Sequence, residues 1–226
     1  MNRAVIFDVN ETMLDLGALD PLFVRWFGDQ LARKEWFALT LHFAMTLAAT
    51  RQFRNFGEIG AAALAGIAHR RGMSLPNEAT DQLREEVLRL PAHLDVAPAL
   101  RILRHAGLVT AALSNNPLPV VRKQLDHVEL SQLFDEILSV DEAGALKPAP
   151  EVYDFAVRRL GLAPASIWMV AAHGWDIAGA TRSGLRGAFV ARPGQWPDPF
   201  ARPEIIADDL LTVAHSILDL EHRSQT

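Results

Sequence analysis

Ala4-Val5-Ile6-Phe7 is an unbroken apolar run that ends on a carboxylate, Asp8. A run of that length predicts a strand buried on both faces, over residues 3–8. From about Asp15 to Leu90 the apolar positions recur at helical spacing instead, with no strand-like run among them. Helices are predicted over Pro21–Gln30, Leu31–Ala49, Phe56–Arg71 and Asn77–Leu90. Pro21 suits a first helical turn. Gly72 ends the third helix; Asn77 is placed to cap the fourth, and Pro91 closes it. The second helix is apolar over most of its surface, as expected of one packed on several sides or lying at a subunit contact.

From Val96 the pattern alternates. Helices are predicted over Pro98–His105, Pro117–His127, Pro150–Leu160 and Asp176–Ser183, with strands at Leu108–Leu113, Glu136–Val140, Ile167–Val170 and Gly187–Val190 between or after them. Arg192–Pro203 reads as a loop, Ile205–Ile206 as a short strand and Leu210–Leu220 as a closing helix. Strands alternating with helices predict an α/β fold: a Rossmann-like parallel sheet with helices on both faces. The helical stretch after the first strand is then an inserted cap lobe. The expected division is residues 1–14 for the first strand and its loop, 15–90 for the cap and 91–226 for the rest of the core.

Composition narrows the functional classes. The chain has 226 residues, 50% hydrophobic and 22% charged, enough for one core with an inserted lobe. A net charge of -5 without a basic stripe argues against nucleic acid or an anionic membrane as partner. There is no cysteine, which rules out disulfides, thiolate metal sites and a cysteine nucleophile. Arg3 and Asp8 break up any apolar leader, and no run is long enough to span a bilayer, so a cytoplasmic location is expected.

The residues that can carry chemistry stand just past the strand ends. Asp8 comes after the first strand; Ser114, Asn115 and Asn116 come after the second; Lys147 lies beyond the third; His173 and Asp176 come after the fourth. In a parallel sheet these carboxyl ends share one edge, where open α/β sheets bind ligands. Position alone leaves Asp8 open as nucleophile, metal ligand or turn cap. An amine near it keeps a carboxylate ionised, and the set as a whole suits covalent catalysis by Asp8. Taken singly, Lys147 is a solvated loop lysine, Ser114 and Asn115 cap the helix after them, and Asp176 is a carboxylate favoured by a helix N-terminus.

The ordered motifs Phe7-Asp8-Val9-Asn10-Glu11-Thr12, Leu113-Ser114-Asn115, Lys147-Pro148 and His173-Gly174-Trp175-Asp176 resemble the haloacid dehalogenase superfamily. Within it they resemble the (S)-2-haloacid dehalogenases. The resemblance implies that Asp8 displaces halide from C2 and forms an ester that water then cleaves. It makes Lys147 the amine beside Asp8 and Asp176 the residue that positions or activates the water. Ser114 and Asn115 are expected to hold the substrate carboxylate, and Tyr153 either joins them or packs. A cap arginine is expected at the halide end: Arg33, with Trp36 and Phe37 lining an apolar pocket and Trp175 shaping it.

Asn10 separates the branches of this superfamily. The phosphatases carry a second Asp there as general acid, and an amide cannot deliver a proton. Halide needs none, so Asn10 is grouped with the substrate-binding residues. This sequence also departs from the better-known dehalogenases, which have an aromatic residue at Asn10, Gly at Glu11, Ser at Ala171 and Asn at His173. His173 is accordingly expected to donate to water or substrate, or to serve as a base assisting Asp176; otherwise it is a loop histidine bonded to backbone. The expected protein is a homodimeric hydrolase of small 2-haloacids needing no cofactor and no metal. The rival readings are a Mg²⁺-dependent phosphatase of small metabolites and a non-catalytic binding protein on the same fold.

Overall fold

A computed structural model describes residues 3–192 and 200–223. The elements run β1 (Ala4–Phe7), α1 (Asp20–Phe27), α2 (Ala32–Ala49), α3 (Phe56–Arg70), α4 (Ala79–Leu88), α5 (Val96–His105), β2 (Val109–Ser114), α6 (Leu118–His127), β3 (Glu136–Ser139), α7 (Pro150–Leu160), β4 (Ile167–Ala171), α8 (Gly174–Arg182), β5 (Arg186–Val190), β6 (Ile205–Ala207) and α9 (Leu210–Arg223). The strands form a six-stranded sheet in the order β3-β2-β1-β4-β5-β6, and every neighbouring pair is parallel. This is the expected α/β architecture. Among the described residues no helix is long and apolar enough to cross a membrane.

β1 explains why the site lies where it does. All four of its residues are buried, because helices cover both faces of the sheet. It pairs with β2 on one side and β4 on the other, with Phe7 opposite Ala112 and Val170. The chain winds outward from β1 in both directions. The crevice beyond its carboxyl end is therefore the topological switch point, where such sheets take their ligands. Asp8 is the next residue, and its N–H still donates to Val170 O at 3.0 Å.

Several boundaries differ from the expected ones for local reasons. α1 stops at Phe27, short of Gln30, because Gly28 turns left-handed with φ 66°. α4 begins at Ala79, with Glu78 at the cap position and no side-chain cap bond, so Asn77 does not cap it. α5 starts at Val96, which places Pro98 inside the first turn where a missing N–H costs little. α8 starts two residues before Asp176, with His173 at the cap position. Of the expected loop Arg192–Pro203, residues 193–199 lie outside the described residues.

Between β1 and α5 stand only helices, α1 to α4 with a short 3₁₀ turn. α2 and α3 pack together, and Trp36 Nε1 ties them by donating to Gly60 O at 2.8 Å. The lobe meets the sheet domain through α4 and α6: Gln124 Nε2 donates to Val87 O at 2.9 Å and to Asn10 Oδ1 at 3.2 Å. α2 buries Ala32, Arg33, Trp36, Phe37, Thr40 and Ala44 along one stripe, with Leu39, Leu41, Phe43 and Leu47 only partly covered.

Candidate active site

Asp8 is 7% exposed and is held by three side chains. Lys147 Nζ donates to Oδ1 at 3.1 Å, Thr12 Oγ1 donates to Oδ2 at 2.7 Å, and His173 Nδ1 lies 3.3 Å from Oδ2. Burial opposes ionisation of Asp8, yet Lys147, His173 and Thr12 together hold it far below the usual carboxylate range. Thr12 is itself aimed by the backbone, since Ala172 N donates to its oxygen at 2.9 Å.

Lys147 bridges two carboxylates. Its Nζ donates to Asp176 Oδ2 at 2.8 Å as well as to Asp8, and its stem is fully enclosed. Burial disfavours the ammonium, but Asp176 and Asp8 outweigh burial and raise its pKa. Asp176 is pushed up by burial and by the charge of Asp8, against the pull of Lys147 and Tyr153. The Tyr153 hydroxyl donates to Asp176 Oδ1 at 2.6 Å, so both Asp176 oxygens are engaged inside the protein. The Asn115 side chain positions the lysine segment, with Oδ1 accepting from Lys147 N at 3.0 Å. That leaves the Asn115 amide N–H groups as donors to a ligand.

His173 is clamped between acids. Its Nε2 lies 3.0 Å from Glu11 Oε2, while Nδ1 faces Asp8. Burial works against the imidazolium, but the hydrogen bonds to Asp8 and Glu11 raise its pKa from 6.5 to about 9. The Phe37 and Trp175 rings pack against it, with centroids at 5.9 and 5.3 Å.

Beside Asp8 lies a small cavity of about 20 Å³, room for roughly one water. Asn10, Ser114, Asn115, His173 and Trp175 supply its polar lining, and Phe37, Leu41 and Phe56 close it from the cap. Trp175 Nε1 is buried without a partner. The Ser114 hydroxyl accepts from Asn116 N at 3.1 Å, which leaves its own hydrogen to donate. Through Asn10, Phe37 and Phe56 this cavity adjoins a larger, mainly apolar chamber of about 320 Å³ between cap and sheet domain.

Some residues expected at the site stand elsewhere. Arg33 does not line the cavity. Its Nε donates to Asp20 Oδ1 at 2.5 Å and its Nη1 reaches Glu11 Oε1 at 3.4 Å, because a buried guanidinium turns to the nearest carboxylates. Trp36 lines the larger chamber, with its N–H spent on Gly60. Tyr153 and Asp176 are sealed behind Lys147 and hold each other. His173 faces Asp8 and Glu11 rather than Asp176 or the backbone. Sequence reasoning missed Glu11, Thr12, Gln124 and Phe56. Thr12 carried a signal, standing four residues after Asp8 in the same loop. Gln124 carried none, since only the packing of α6 against α4 brings it to Asn10.

A divalent cation between the carboxylates of Asp8 and Asp176 would need the space that the Lys147 ammonium fills. Among the described residues no group of three or more His, Asp or Glu side chains could hold a metal ion. The donor set does not fit Mg²⁺, which wants several oxygens around it.

A carboxylate at the end of a central parallel strand, an ammonium against it and an inserted helical lobe above it define a hydrolase class that works through an aspartate. The chain belongs to the haloacid dehalogenase-like hydrolases, whose family model matches residues 2–184. It is similar to the haloacetate dehalogenase H-2 of Moraxella sp. (strain B), 30% identical over 159 residues, which cover 70% of this chain and 71% of that protein. It is also similar to the (S)-2-haloacid dehalogenase of Pseudomonas fluorescens, 24% identical over 221 residues, 96% of this chain and 97% of that one. The crystal structure of an L-2-haloacid dehalogenase superposes with a TM-score of 0.91 at 28% identity, covering 96% of this chain and 99% of the other.

Proposed function

We propose that this protein hydrolyses the carbon–halogen bond of small (S)-2-haloalkanoic acids, giving (R)-2-hydroxy acids through an ester on Asp8. One observation carries the reading: Asp8, at the switch point, lines a small cavity beneath the cap, is held ionised by Lys147 at 3.1 Å, and has an amide at Asn10 where a phosphatase needs an acid. Asp8 attacks C2 from the side opposite the halide, so the configuration inverts. Ser114 and Asn115 donate to the substrate carboxylate, with the Asn10 amide and the Trp175 N–H completing the polar lining. Asp176 and Tyr153 act from behind by holding Lys147 against the nucleophile.

The relatives from Moraxella and Pseudomonas fluorescens, whose names specify haloacetate and (S)-2-haloacids, support this substrate class. The cap is proposed as residues 15–90, matching the helical insert. A homodimer through the partly covered apolar side chains of α2 is proposed as well, and light scattering on the purified protein tests it.

The enzymatic reading is tested by measuring halide release from chloro-, bromo- and fluoroacetate and from both 2-chloropropionate enantiomers, with and without chelator. Halide release from the (S) enantiomer, unchanged by chelator, is expected. Phosphate-ester hydrolysis that chelator abolishes, without halide release, would overturn it.

A further inference from the structure

We infer that His173 is an oxyanion-stabilising residue for the second half of the reaction, hydrolysis of the Asp8 ester, and that Glu11 is the positioning residue that holds it as a cation. The inference rests on the proposed ester route.

The two oxygens of Asp8 are unequally occupied. Oδ1 has one side-chain donor, Lys147, whereas Oδ2 has the Thr12 hydroxyl at 2.7 Å and faces His173 Nδ1 at 3.3 Å. A carboxylate oxygen already carrying two donors is the poorer nucleophile, so Oδ1 bonds to carbon and Oδ2 becomes the acyl oxygen of the ester. Water then adds to Cγ, and negative charge develops on Oδ2. The two donors stand in place before that charge appears, the arrangement in which hydrogen bonds lower a barrier most. When the adduct collapses, the Cγ–Oδ1 bond breaks, Oδ1 leaves as the product hydroxyl oxygen and the water oxygen takes its place on Asp8. Of the two water protons, one ends on the product hydroxyl and the other goes to solvent. His173 gives up none.

The ring geometry requires the charged form. Both nitrogens face carboxylate oxygens, and a neutral imidazole would aim a lone pair at one of them. Esterification removes the charge of Asp8. Glu11, with Oε2 at 3.0 Å from Nε2, is then the anion left in contact with the ring. Behind Asp8 stand Lys147 and Asp176; behind Glu11 stand Arg33 and Asp20. Phe37 and Trp175 cover the ring without contributing charge.

Glu11 also occupies a conformation that its side chain makes costly. Its φ is 64°, in the left-handed region, where its N–H closes a turn on Leu14 O at 2.8 Å. A glutamate in that region is strained where a glycine would not be. Its contacts with His173 and Arg33 account for a charged side chain at that turn.

The test separates the two half-reactions of wild type, His173→Ala and Glu11→Gln with 2-bromopropionate. Rapid mixing reports bromide release, and quenched samples report the ester as a mass adduct on the Asp8 peptide. For His173→Ala we expect one equivalent of bromide to be released as a burst while ester breakdown slows about 10²-fold, so that the adduct accumulates. Glu11→Gln keeps the size and an acceptor but removes the charge. Its ester breakdown should fall at lower pH than in the wild type, with the low-pH plateau within about threefold. A purely structural role would slow both half-reactions alike and leave that pH limb in place. Ester breakdown that rises with pH through this limb would make His173 a base and overturn the inference, as would equal ester lifetimes in all three proteins. Absence of bromide release from the wild type overturns the dehalogenase reading itself.

Discussion

Lys147 is the residue on which the charges of the site balance. It is wholly enclosed, yet it carries a full charge because two carboxylates lie within 3.1 and 2.8 Å of its Nζ. Deleting one member of such a set leaves the others buried and unpaired, which typically costs about 3–5 kcal/mol. Lys147→Ala should therefore lose roughly 3 kcal/mol in urea unfolding and at least about 10²-fold in turnover. Near-wild-type turnover in the folded variant would remove Lys147 from the mechanism. His173 makes stability depend on pH in a definite direction. Its pKa is raised from 6.5 to about 9 on folding, so its contribution is fully present below 6.5 and fades as pH rises through about 9. The melting temperature is expected to drop over that window, and His173→Gln should flatten that part of the profile. An equally steep drop in His173→Gln would assign the dependence to another group.

At the scale of elements, α8 and α7 present Asp176 and Tyr153 to the lysine, and a glycine makes their approach possible. A Cβ on Gly179 would stand 2.7 Å from the Tyr153 hydroxyl and 2.7 Å from Pro148 Cβ, closer than nonbonded atoms tolerate. Gly179→Ala is expected to push Tyr153 off Asp176, costing about 1–3 kcal/mol from overpacking. It should also lower turnover more than any change on the outer face of α8. A crystal structure of the variant with the 2.6 Å Tyr153–Asp176 hydrogen bond intact would refute this. Asp176 also belongs to the first turn of α8, where the helix dipole favours its charge. α8 thus supplies both the acid and part of its stabilisation.

The molecule as a whole offers a substrate two unequal spaces. The cavity at Asp8 is too small for a haloacid as it stands, so Phe37, Leu41 and Phe56 of the cap must give way on entry. The adjoining chamber, lined by Leu16, Trp36, Leu83, Val87 and Val120 among others, can take an alkyl chain. Burial of a methylene contributes about 0.8 kcal/mol, or roughly fourfold in kcat/KM. Rates should climb by up to about that factor per carbon from 2-bromopropionate towards 2-bromohexanoate, and Ala61→Phe, which fills the chamber, should abolish the gain. Rates that are flat or falling along the series in the wild type would show that the chain lies elsewhere.

The sequence by itself determined the alternation of strands and helices, the helical insertion after β1 and the order of Asp8, Ser114, Asn115, Lys147 and Asp176. Apolar periodicity is a local property, and in a parallel sheet the residues after each strand necessarily reach one edge. Helix ends shifted by two or three residues where a left-handed glycine stopped a helix or a first turn tolerated a proline, as at Gly28 and Pro98. Partner choice among buried charges was decided only in three dimensions. Arg33 turned to Asp20 and Glu11, and His173 settled between Glu11 and Asp8, although Glu11 and His173 are far apart in the chain. A charge removed from water must pair with whatever carboxylate the packing brings near, and that neighbour comes from another element. No local pattern in the sequence encodes it.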